Sequence, residues 1–510
     1  MGWIREAIVS WLKIVPAGQT QLQIVEPLTY EGNLMKNRIW YRGDPSELEQ
    51  LFKSIGSIDR STAARSRFWA AVPTEGLGVR KIHSGLPAMM VDKLASIVTG
   101  DMQDPEGSGV DLWMEIAEDN QFTRLLKQAV TNTLVDGDGA FKICTDGAVS
   151  EYPILDFFSG ERVGYEYERG RLKEICFYTE FEKQNTAYRL KEIYGRGYVD
   201  YRLYNKQGRE VELQTLPETS SLVPVQFPGD FMMAVPLQFY ASAKHARRGK
   251  SLFDGKSDMF DALDETISQW MDAVRLGRAQ KYIPQDMIPR DPENGVLLKP
   301  NPFDNQFIAV GNALAEDAKS QIDVVQPSID CDAYLATYIN NLDVCLQGIL
   351  SPSTLGIDVK KLDNAESQRE KEKTTLYTRG ELIAVLSQAL TRLADAALKT
   401  ADVMRNKTPG EYDINFSWGE YANPSFEAVV ETVGKARMQG IMSLEACVEE
   451  LYGDSKEQEW KDAEVERLKA EQGMKEAEEP RMTPDEFLGG APDDDPESPT
   501  GGEADDEQAV

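Results

Sequence analysis

The chain has 510 residues, with 55 Lys and Arg against 85 Asp and Glu and a formal charge of −30. That length allows several domains with sizeable cores, and the acidic balance argues against tight, static duplex binding, which draws its affinity from phosphate neutralisation. Five scattered cysteines without CxxC spacing and two histidines, His83 and His245, point to neither a disulfide framework nor a zinc site, and no metal or cofactor is expected.

Met1 to Leu12 places Trp3, Ile4, Ala7, Ile8, Trp11 and Leu12 on one helical face. It is too short and polar for a signal peptide and reads as a helix docking on a neighbouring domain or subunit, with a membrane surface as the alternative. No apolar run approaches the ~18–20 residues of a membrane span. Asn37 to Phe52 reads NRIWYRGDPSELEQLF, in which Asp44 caps a helix, Pro45 takes its first position and Glu47 completes a capping box. Helices follow over Pro87 to Gly100 and Asn120 to Val135. Asp136-Gly137-Asp138-Gly139 lacks the later ligands of a calcium loop and reads as a turn feeding a strand from Ala140 to Cys144. Residues 140–215 read as short strands rich in tyrosine. Their aromatics, interleaved with Arg and Lys, suit a half-buried sheet, with stacking on single-stranded nucleic acid as the alternative. Lys244 to Lys250, KHARRGK, is the densest basic run. It reads either as a solvated turn or as a contact in which Lys244, Arg247, Arg248 and Lys250 meet phosphates or an acidic partner patch.

The stretch from Ser257 to Leu398 organises the rest. Ser257 is placed to cap a helix reaching about Lys281, with Phe260, Leu263, Ile267, Trp270 and Val274 on one stripe. A Pro-rich insert runs from Tyr282 to Asp330, and a second striped helix from Cys331 to Leu350 ends at Ser351-Pro352. The loop Ser353 to Asn364 holds Gly356, Asp358, Lys360, Lys361 and Asp363. Asp363 and Glu366 then open a long helix as a capping pair. Beyond it come a strand over Ile414 to Trp418, a helix from Asn423-Pro424 to Gly440, one capped by Ser443 and ending at Gly453, and a charged helix from Ser455 to Gln472. Glu476 to Val510 holds thirteen acids against one base, Arg481, and should be disordered.

Catalytic signatures are missing. Two histidines exclude HExxH sites, GxSxG does not occur, and GKSLFDGKS has five residues between Gly249 and Gly255 where a phosphate-binding loop needs four. The chain is expected not to be an enzyme. Two other classes stay open: a nucleotide-dependent enzyme built around Gly255-Lys256-Ser257, and a coiled-coil scaffolding protein, against which the apolar stripe breaks at Gly380.

The order of these parts, with GKSDMFDALDETIS over Gly255 to Ser268 and NAESQREKEKTT over Asn364 to Thr375, resembles the portal proteins of tailed double-stranded-DNA bacteriophages. The resemblance covers most of residues 30–472 and rests on the sequential order of the matches. It implies an α+β, mainly helical portal fold: a wing (1–250), a stem helix (251–281), a clip (282–330), a second stem helix (331–350), a tunnel loop (351–364), a channel-side helix with wing return (365–410), a crown (411–473) and an acidic tail (474–510). It further implies a dodecameric ring at one capsid vertex, with double-stranded DNA packaged, retained and ejected through its channel. Implied partners are the terminase large subunit, the major capsid and scaffolding proteins and a head–tail adaptor, with the protein in the virion and, during assembly, the host cytoplasm. By the same resemblance the loop residues Gly356, Asp358, Lys360, Lys361 and Asp363 face DNA.

Overall fold

The computed structural model describes residues 28–58, 66–72, 79–277, 280–284, 287–296, 307–310, 322–326, 328–357, 365–419, 426–453, 456 and 458–471. The chain divides into two compact units, Met1–Tyr421 and Ala422–Val510. As expected from the sequence, the fold is α+β.

The first unit opens with α1 (Tyr30–Arg42) and α2 (Pro45–Ile58). Thr29 Oγ1 caps α1 by accepting from Gly32 N, and Gly43, at φ +70°, ends it in the left-handed region. Asp44 caps α2 through Ser46 N at 2.8 Å. Glu47 does not complete the box; it turns to Arg42 at 2.8 Å. Next come α3 (Leu86–Gly100), β1 (Glu106–Gly107), α4 (Val110–Asp119) and α5 (Phe122–Asp136). Trp40, Phe52, Trp69, Met90, Leu94, Trp113 and Leu126 from this region are fully buried.

Two antiparallel sheets follow. In the first, β2 (Asp138–Cys144) lies between β3 (Ile154–Ser159) and β10 (Ala234–Gln238). Flanked on both sides, it buries Ala140, Phe141 and Ile143 completely. The second runs β4 (Val163–Glu168), β5 (Arg171–Lys183), β6 (Thr186–Gly195), β7 (Tyr198–Asn205) and β8 (Glu210–Val211), with β9 (Val225–Gln226) also on β7. Its inward face carries Ile175, Phe177 and Tyr194, so most of the tyrosine-rich strands serve a sheet with one packed face. Glu192, buried on that face, is neutralised by Lys142 Nζ at 2.9 Å.

The helix α6 (Ser257–Leu276) is followed by a small sheet in which β11 (Gln280–Pro284) pairs in parallel with β12 (Phe307–Val310) and antiparallel with β13 (Asp323–Val325). Then come α7 (Cys331–Leu346), a 3₁₀ turn over Pro352–Leu355 and α8 (Ala365–Met404). With 40 residues, α8 is about 60 Å long. Its second half drives Leu386, Leu390, Leu393 and Ala397 into the core beside Phe260 and Leu263 of α6. β14 (Ile414–Asn415) returns to pair with β1, and Trp418 Nε1 donates to Val98 O at 2.8 Å. The expected strand over Ile414 to Trp418 is thus two residues long with an isolated bridge at Trp418.

In the second unit, α9 (Phe426–Met438), α10 (Leu444–Tyr452) and α11 (Gln458–Glu471) are short helices. Ser443 Oγ caps α10 by accepting from Ala446 N at 3.1 Å, as its sequence position suggests. Leu444, Val448 and Val465 form the core, and Lys461–Glu449 and Lys469–Glu445 join α11 to α10, each at 2.8 Å.

Candidate functional site

The stretch that organises the sequence also organises the site. α6 and α7 pack antiparallel, since Trp270 stacks on Tyr334 with planes 5° apart while Lys256, before α6, reaches the end of α7. Asn341 Nδ2 donates to Thr266 Oγ1 at 2.9 Å in between. Both helices end earlier than the bounds the sequence suggests, Lys281 and Leu350. Gly277 N donates to Ala273 O and closes α6, and Gly348, at φ +76°, turns the chain after α7. Ser257 lies inside α6; Lys256 takes the cap position without a side-chain bond to the helix.

The first half of α6 is embedded in the core, with Phe260, Leu263 and Asp264 at or near zero exposure. The distal half is not. Met271, Val274 and Leu276 are 45–49% exposed, and Leu335 near the start of α7 is 46% exposed. The helix pair therefore leaves the first unit's core with apolar side chains facing outward.

A polar stripe fixes the embedded half. Asp261 accepts Phe68 N and Trp69 N at 2.8 and 3.1 Å. Asp264 accepts Ser84 N at 2.8 Å and Trp69 Nε1 at 3.1 Å, and its Oδ2 lies 2.7 Å from His83 Nδ1. Ser268 Oγ accepts Ile82 N at 2.9 Å. Burial pushes the Asp261 carboxyl above its ordinary range, and the two backbone N–H groups oppose that shift. His83 and Asp264 are thus members of a structural clamp. His245 lies apart from this clamp, its Nε2 3.2 Å from Asn33 Nδ2 of α1.

The loop residue Gly356 adopts φ +72° after the 3₁₀ turn, and its N–H returns to Ser353 O at 2.9 Å. Nothing lies within 4 Å of where its Cβ would be, so conformation, not crowding, calls for glycine. Asp358, Lys360, Lys361 and Asp363 lie outside the described residues.

The basic run forms a closed loop, with Ala241 bridged to Gly249. Arg248 turns inward. It donates to Val163 O at 2.8 Å, lies 3.5 Å from Asp138 and covers the Tyr30 ring at 4.3 Å. Asp138, with no exposed side chain, also accepts from Tyr30 Oη and Gly249 N. Burial raises its pKa and Arg248 opposes the rise. Arg247 lies 5.0 Å from the Tyr167 ring, and Lys244, Arg247 and Lys250 are exposed. Asp136 binds Arg38 at 2.7 Å, so the Asp-Gly-Asp-Gly segment is held by the fold's own ion pairs. Among the described residues no group of His, Cys, Asp and Glu could hold a metal ion, and no helix is long and apolar enough to cross a membrane.

Lys256, the lysine of the GKS segment, donates from Nζ to Val344 O and Gln347 O, both at 2.9 Å. A cation on the last carbonyls of α7 complements the negative end of that helix. This amine is engaged by the helix pair.

No protein-family model and no curated protein matches the chain. Among solved structures it is similar to the neck of a native gene transfer agent particle computed with C12 symmetry, at 11% identity and TM-score 0.38, over 74% of this chain and 89% of that one. The virion of the native particle gives 12% identity and TM-score 0.37, over 86% and 94%. The neck of the empty particle, computed with C6 symmetry, gives 10% identity and TM-score 0.36, over 70% and 87%. Likeness this loose assigns no function.

Sequence reasoning missed the clamp. Its signal was present: Asp261, Asp264 and Ser268 recur at helical spacing beside Phe260, Leu263 and Ile267, and polar residues on a buried stripe need partners. The partners lie 180 to 195 residues away in the chain and could not be named.

Proposed function

We propose that the chain is a portal subunit. It forms a ring at one capsid vertex, and genomic DNA passes through the channel during packaging and ejection and is retained there in between. The observation that carries this reading is the antiparallel α6–α7 pair, rooted in the core by the polar clamp and exposing Met271, Val274, Leu276 and Leu335 beyond it. A small sheet sits between the two helices in sequence, and a turn and a 40-residue helix follow. This is the order of stem, clip, stem, tunnel loop and channel-side helix that the sequence resemblance implies. Neighbouring copies in a heterologous ring would cover the exposed apolar residues. In this reading the ring is dodecameric. It docks a terminase large subunit and a head–tail adaptor, meets capsid and scaffolding proteins, and performs no chemistry of its own. Its work is geometry and weak, sequence-independent contact with the duplex.

The reading is tested by mass. Light scattering of the purified chain at micromolar concentration, across several salt concentrations, should give a closed oligomer of fixed size. A monomer throughout would overturn it.

A further inference from the structure

A cavity of about 310 Å³ opens between the second sheet and the C-terminal end of α8. Tyr194 and Tyr201, on β6 and β7, line one side. Val223 and Phe227, on the strap between β8 and β10, line another, and Val403 and Met404 of α8 complete it. None of these residues belongs to the helix pair, the clamp or the basic loop.

The walls are tied in place. Val225 pairs with Val199, Phe227 N donates to Gly197 O at 3.0 Å, and earlier in the strap Thr219 is buried. The volume falls in the lower part of the range of small-molecule sites, about 300–1,000 Å³, which are mostly apolar with a few placed polar groups. Tyr201 is one such group, beside Thr145, Ser221 and Thr400 in the lining. Tyr201 Oη makes no hydrogen bond among the described residues. Its neighbour Tyr194 donates to Glu192, and Glu192 is itself held by Lys142. Burial, followed by the nearby Glu192 and Cys144, pushes the Tyr201 phenol up to about 12, so it keeps its proton at neutral pH and can donate. A preformed, largely apolar cavity with a donor in its wall favours a guest that is apolar over most of its surface and offers one acceptor.

We propose that this cavity binds a small, mostly apolar molecule that accepts a hydrogen bond from Tyr201 Oη. The assignment does not depend on the portal reading. It is tested with acetophenone and α-methylstyrene, which share a shape but differ in carrying a carbonyl or a vinylidene group. Each is titrated onto the intact protein by ligand-observed NMR. Both should bind saturably. Val403→Trp fills the cavity and should abolish both titrations. Tyr201→Phe should leave α-methylstyrene bound and lower the affinity ratio of acetophenone to α-methylstyrene about fivefold, the worth of one net hydrogen bond. Lack of saturation by either probe on the unmodified protein would overturn the proposal. So would an unchanged titration on Val403→Trp, or an unchanged ratio in Tyr201→Phe. If Val403→Trp does not fold, the Tyr201→Phe ratio still decides.

Discussion

Lys36 is a charged side chain on the buried face of α1. It is 9% exposed, and among the described residues no carboxylate lies within ion-pair distance of its amine. Burial lowers its pKa below the ordinary lysine value of 10.5; Asp254 opposes the shift, and the nearby Lys244 and Arg67 add to it. The fold therefore disfavours the ammonium, and the unfolded chain binds that proton more readily. Stability from this residue rises with pH between the lowered value and 10.5. Lys36→Met should stabilise the protein at pH 7, because the variant no longer has to hold a cation where burial disfavours it. The advantage should shrink as the pH approaches 10.5, which denaturant titrations at several pH values would show. Destabilisation at pH 7 would mean that the amine has a stabilising partner.

Lys360 and Lys361 stand side by side in the sequence. In an acidic chain they are the cations of the proposed channel loop, flanked by Asp358 and Asp363. Each phosphate contact adds a salt-sensitive increment, about −0.9 in the slope of log affinity against log salt. Lys360→Glu with Lys361→Glu should leave the oligomer intact and lower the amount of DNA packaged or retained. Normal DNA content in intact particles would sink the contact, and loss of the oligomer would place these lysines between subunits instead.

Among the elements, α8 is the longest and has one weak point. Gly380 sits in its interior with nothing within 4 Å of a would-be Cβ, so no close approach requires glycine there. Glycine in a helix costs about 0.5–1 kcal/mol relative to alanine. Gly380→Ala should therefore raise the denaturant midpoint by that amount with an unchanged slope, and a loss of stability would show that the position needs a non-helical backbone. The helices themselves are legible in the sequence because apolar residues recur at three and four, as Phe260, Leu263 and Ile267 do in α6 and Leu342 and Leu346 do in α7. Their ends are less legible. The sequence suggests ends at about Lys281 and Leu350, whereas α6 closes at Gly277, which keeps a right-handed conformation open to any residue, and Gly348, at φ +76°, turns the chain after α7. The clamp is illegible for a different reason, since it joins α6 to residues far away in the chain. Of the candidate site, the sequence supplies the helix pair, Gly356 and the basic run. It gives no sign that Arg248 would be turned inward against Asp138 and Tyr30, because a run of cations does not reveal which one meets a buried acid.

On the scale of the whole molecule, charge is distributed unevenly. Thirteen of the 85 acids fall in the last 35 residues, which hold almost no aromatics. By composition alone it offers little apolar surface for an interface. Truncation after Gly473 should leave oligomer yield unchanged in size-exclusion chromatography, and loss of the oligomer would make the tail structural. The exposed apolar residues of α6 and α7 make the stronger claim, that the folded subunit is incomplete until neighbours cover them. Negative-stain electron microscopy of the purified full-length protein tests this most directly. The portal reading predicts closed rings of uniform diameter with a central hole wide enough for duplex DNA. Monomers, filaments or closed particles without a central hole would contradict it.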